Sequence, residues 1–120
     1  MRWSSGDGVT LDVLAPVMPL LADTGDDINE NSIVVMLRYQ AFSELFMGDA
    51  GEASESRLLA TDAPCHPEQR RGAAEDMAPT FVAAVHPRVA VISVGRHNTF
   101  GHPAESTLET WRSNGARRAR

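Results

Sequence analysis

Apolar positions along this chain come in short, bounded runs, and each run predicts an element. Val9 to Leu14 alternates loosely and then meets Pro16 and Pro19, the pattern of a short strand leading into an extended loop. Asp23 to Asn31 is polar and turn-forming, with Asx side chains able to bond their own backbone. Ser32 to Tyr39 is a second strand, Gln40-Ala41 a tight turn and Phe42 to Met47 a third strand, so the three segments form a hairpin ending at Gly48-Asp49. Glu52 to Leu59 then has helical spacing, with Leu58 and Leu59 three and four residues after Glu55.

From Thr61 to about Pro79 neither period survives, and the prolines and polar residues there predict a loop or disorder over 61–79. Thr80 to Val85 reads as a short helix stopped by His86-Pro87. Val89 to Val94 is a β-branched run without alternation, the pattern of a strand buried on both faces. It ends at Gly95 and opens a polar loop carrying His97, Asn98 and His102 before Pro103. A loop on the end of a rigid strand is where function concentrates. Glu105 to Ser113 is a helix, with Pro103 near its first turn, Leu108 and Trp111 on its core face and Asn114-Gly115 closing it. The order of strands and helices is that of an α/β layered architecture in a single domain spanning 1–120.

Composition narrows the function. The chain has 120 residues and a net charge of −5, which argues against a protein that coats nucleic acid by bulk charge. All 11 basic residues are arginines, and four of them crowd the tail from Arg112 to Arg120. They suit phosphate contacts, although a frayed, solvated terminus is the expected state. The single cysteine, Cys65, excludes an internal disulfide and a cysteine-based zinc cluster. No signal peptide or membrane-length apolar run occurs, so a soluble chain is expected.

Three separated motifs carry a resemblance. Asp27 to Val34 is similar to a D-x-N-x-x-S-(I/L)-V entry into a core strand. Phe46-Met47-Gly48-Asp49-Ala50, with Glu55 and Leu58-Leu59 behind it, resembles an L-T-G-D-A…E…L-L segment. Ile92 to Pro103 resembles an S-V-G-x-x-N-x-(Y/F)-G-H-P ending. Together, in order and from about Val9 to Gly115, they look like the C-terminal half of the metallo-β-lactamase-fold domain of the ComEC family of competence proteins.

That resemblance implies a partial αββα sandwich with a metal site at the edge of its two sheets. It implies a zinc-dependent hydrolase of phosphodiester or related ester bonds, with DNA as substrate in the setting of DNA uptake. Asp49 falls on the family's metal-binding aspartate, and His102 on its Gly-His-Pro histidine. The plain alternatives are a turn or helix-capping aspartate and an ordinary histidine at a loop-to-helix junction.

The departures bear on activity. The family's H-x-H-x-D-H motif does not occur in the 120 residues, and no H-H-G-S stands between Leu59 and Phe81. A frame disruption within 61–79 is one expectation that follows. One carboxylate and one imidazole cannot hold a catalytic zinc, which takes three protein ligands and an open position. The chain alone is therefore expected to be an inactive fragment. A non-catalytic α/β remnant or interaction module is the alternative from a different class. Either way a half-sandwich exposes one sheet face, and self-association through that face is expected.

Overall fold

A computed structural model describes residues 1–61, 70–73, 78–91, 101 and 103–119. They form a small mixed α/β domain with one seven-stranded sheet whose strands lie in sequence order. Strands β1 (Arg2–Ser4), β2 (Val9–Ala15), β3 (Val34–Tyr39) and β4 (Phe42–Phe46) make an antiparallel meander. Strands β5 (Arg70–Ala73), β6 (Val89–Val91) and β7 (Arg117–Ala119) continue the sheet in parallel. Among the described residues there are four helices: α1 (Asp27–Glu30), α2 (Glu52–Ala60), α3 (Pro79–Val85) and α4 (Glu105–Ser113). The last three are the crossovers that parallel neighbours require.

The β3–β4 hairpin turns through Gln40, whose φ of 52° lies in the left-handed region. Positive φ in a two-residue connection matches the twist of the strands it joins. Register pairs such as Met36 with Leu45 put residues two apart on one face, and Val34, Met36 and Leu45 are all buried. Phe81, Val82 and Val85 of α3, Leu58 of α2 and Trp111 of α4 share their core cluster, so the helices cover this one face.

Among the described residues no helix packs on the other face in this way. Across it run Trp3, Leu11 and Leu37, then Val13, Val35 and Phe46, then Val9, Tyr39 and Phe42, each row joined by cross-strand register. Trp3 is 55% exposed, Tyr39 42% and Phe46 41%. A sheet solvated on one side normally alternates apolar with polar. Here β2, β3 and β4 carry apolar side chains on both.

Several expectations are corrected. The arginine-rich tail is not wholly frayed, because Arg117–Ala119 pair with β6 as an edge strand. The segment 61–79 contains β5 at Arg70–Ala73, the start of α3 at Pro79 and Ala78 as its N-cap; residues 62–69 and 74–77 lie outside the described residues. Of the strand expected over Val89–Val94, Val89–Val91 is described, with Ala90 buried and Val89 and Val91 half-buried on the face away from the core; residues 92–94 lie outside the described residues. The polar loop over 23–31 contains a single helical turn, α1, capped by the Asp26 carboxylate.

Candidate functional site at the carboxyl edge of the parallel strands

Parallel strands in an α/β sheet present ligand-binding loops at their carboxyl ends. Strands β4, β5 and β6 all end at one edge of this sheet. Gly48-Asp49 follows β4 there, and the chain beyond Val91 leaves β6 there. With β5 between them, β4 and β6 stand about 10 Å apart.

The Gly48-Asp49 turn is built from its neighbours. Met47 and Ala50 are buried on either side, and the Ala50 N–H donates to the Met47 carbonyl at 3.2 Å. Gly48 has φ of 59°, and a Cβ there would stand 3.2 Å from Ser32 Cβ. Both facts call for glycine. Asp49 is the exposed tip of this turn. It is not the cap of α2: the N-cap is Gly51, and the capping acceptor comes from another element.

That acceptor is Glu30, at the end of α1. Its Oε2 accepts the Ser54 N–H at 2.8 Å and its Oε1 the Ala53 N–H at 3.4 Å. A Cβ on Gly51 would lie 2.6 Å from Glu30 Oε1, so the glycine makes room for the carboxylate. Glu55, one turn into α2, performs the same service for α3. Its Oε2 accepts the Ala78 N–H at 2.9 Å, at a helix start with no side-chain cap of its own. Glu55 is 1% exposed, and its Oε1 has no hydrogen-bond partner among the described residues. Burial first, then the charges of Glu30 and Glu52, raise its pKa from 4.5 to about 7, against the lowering effect of the Ala78 N–H.

Glu30 and Glu55 are the carboxylates whose importance the pattern of the chain understates. Glu55 stands three residues before Leu58, on the core phase of α2, which is the signal that could have marked it as buried.

Of the two expected ligand positions, Asp49 lies at the carboxyl edge and His102 lies outside the described residues, between Gly101 and Pro103. His66, His97 and Asn98 lie outside them as well. His86 is exposed, adopts the left-handed conformation as the C-cap of α3 and precedes β6, on the opposite edge of the sheet from Asp49. Among the described residues no three His, Cys, Asp or Glu side chains converge as a metal site. Glu30 is committed to amide N–H groups, and of the two expected ligand positions the described part of this edge offers Asp49 alone. That set does not make a zinc site by itself. No helix among the described residues is long and apolar enough to cross a membrane.

The chain matches no protein-family model, and comparison with characterised proteins and with solved structures finds no match.

Proposed function

We propose that this chain is the C-terminal half of a ComEC-like metallo-β-lactamase-fold hydrolase, whose complete form is an αββα sandwich that cleaves phosphodiester or related ester bonds with zinc. DNA is the substrate class in this reading. Asp49 and His102 are its ligand positions in this half, and the remaining ligands come from the other half. The 120 residues alone are catalytically incomplete.

One observation carries the reading. The motif-bearing turn at Asp49 and the segment that leads to His102 follow the carboxyl ends of β4 and β6, two parallel strands separated only by β5. A sheet with helices on one face and apolar residues on the other is also what one half of a sandwich requires.

The test is the nucleotide sequence on both sides of the reading frame. An upstream H-x-H-x-D-H in the same transcript, and His-His-Gly-Ser in another frame of the 61–79 region, are the expected findings. Uninterrupted sequence with neither motif removes the hydrolase reading. The second reading, a non-catalytic interaction module, then stands, and the uncovered apolar face favours it. Zinc content after co-expression with the upstream half separates the two readings: the hydrolase retains the metal and the module does not. In the hydrolase reading the other half of the sandwich covers the apolar sheet face; in the module reading a partner does.

A further inference from the structure

We propose that a second copy of this chain covers the open face of β1–β4, sheet against sheet, about a two-fold axis. The inference stands on that face and concerns the 120 residues without an upstream half, which in the hydrolase reading would take the same face. Its apolar side chains are contiguous: Trp3 is opposite Leu11, Leu11 opposite Leu37, and Val35 opposite Phe46 in register. Trp3, Tyr39 and Phe46, exposed to 55%, 42% and 41%, supply about half of an apolar area on the order of 600 Å². That is the upper end of what a monomer leaves in water. Two such faces joined bury about 1,200 Å², where standard-size interfaces begin.

Shape and charge select the occupant. The four strands are about 19 Å across at ordinary strand spacing, wider than the roughly 10–12 Å a single helix covers. A second sheet covers the width, and two sheets of the same twist pack face to face about 10 Å apart. An identical chain shares this twist, as sheets do generally, and brings an apolar face of matching area and outline. Among the described side chains of β1–β4 on this face, Glu44 is the one carboxylate. With the axis between β2 and β3, β4 of each copy opposes β1 of the other. The two Glu44 carboxylates then lie apart, at opposite borders of the joined patches, as an isologous interface of this polarity requires.

Sedimentation equilibrium of the full chain over a concentration series tests the proposal. The expected result is a closed dimer in which Trp3 emission shifts to the blue as the dimer forms, against a constant background from buried Trp111. Phe46→Lys is expected to weaken association by more than about tenfold, with the circular dichroism spectrum unchanged. Ile28→Lys, on α1 and off the face, leaves it intact. Should Phe46→Lys fail to fold, Trp3→Gln on the edge strand β1 carries the same expectation. A wild-type monomer at every concentration overturns the proposal, as do open-ended oligomers or a dimer that both folded face variants leave unchanged. A monomer that acquires a partner only on co-expression with an upstream half-domain assigns the face to that half, and likewise overturns it.

Discussion

Glu55 on α2 holds the N-terminus of α3 through Ala78: the buried carboxylate accepts the Ala78 N–H at 2.9 Å. The bond satisfies one amide that α3 leaves open, and it ties two crossover helices together over the core. Its cost is a carboxylate removed from water with its second oxygen unpartnered among the described residues. The proton that Glu55 keeps at mildly acidic pH reduces that cost.

This sets a pH dependence of stability. The folded-state pKa is raised from 4.5 to about 7, so the folded protein holds a proton that the unfolded chain has lost. The stabilisation is complete below the ordinary value, declines as pH rises towards 7, and is flat above it. The whole decline is at most about 3 kcal/mol. Urea unfolding between pH 4.5 and 8 should show it, and Glu55→Gln should flatten it and be the more stable protein at pH 8. A wild-type profile that rises across this window would remove the account.

Glu30 and Gly51 should behave as one unit. Glu30→Ala removes an N-terminal cap from α2 and should cost about 1–2 kcal/mol. Gly51→Ala places a Cβ where Glu30 Oε1 stands, so it should destabilise by displacing the cap. In the Glu30→Ala background the same substitution meets no carboxylate, and its cost should largely vanish. A double-mutant cycle by thermal unfolding measures this coupling; strict additivity would mean that the cap contributes nothing.

Asp12 joins the first three strands, pairing with Arg2 at 2.5 Å and with Arg38. Its hydrogen bond from Arg2, reinforced by both arginine charges against its desolvation, holds the carboxyl below its usual range. Its contribution is therefore present above pH 3.8 and lost as pH falls through the depressed value. The Arg2 side chain is 65% exposed, whereas that of Asp12 is 10% exposed. Arg2→Gln should cost no more than about 1 kcal/mol, while Asp12→Asn should cost about 1–3 kcal/mol. Equal costs for the two in denaturant unfolding would contradict this ranking.

What was legible in the chain follows from how locally each element is determined. The β3–β4 hairpin, α2, α3 and α4 carry their own periodicity and stop signals, and the structure has them within a residue or two of the expected positions. Strand β5, Arg-Arg-Gly-Ala, has no apolar pattern, because its pairing comes from β4 on one side and β6 on the other. Strands β1 and β7 are three residues each, too short for a period, and their arginines suit sheet edges. Of the candidate site, the Gly48-Asp49 turn was legible because its glycine and flanking apolar residues are contiguous. The capping by Glu30 was not, since it joins residues 24 apart.

Gly48 and Asp49 divide structure from chemistry at the carboxyl edge, which makes them the sharpest pair to mutate. Gly48→Ala forces a left-handed alanine against Ser32 and should destabilise by about 1–2 kcal/mol. Asp49 is exposed and outside the helix cap, so Asp49→Ala should leave stability within about 0.5 kcal/mol. If the residue is kept for metal binding, its loss appears elsewhere. Reassembled with an upstream half carrying H-x-H-x-D-H, the Asp49→Ala protein should retain less zinc and lose phosphodiester cleavage. Gly48→Ala should unfold at lower temperature yet bind the metal while folded. An Asp49→Ala variant that loses more than about 1 kcal/mol of stability would make the aspartate a turn residue, and its ligand role would go with it.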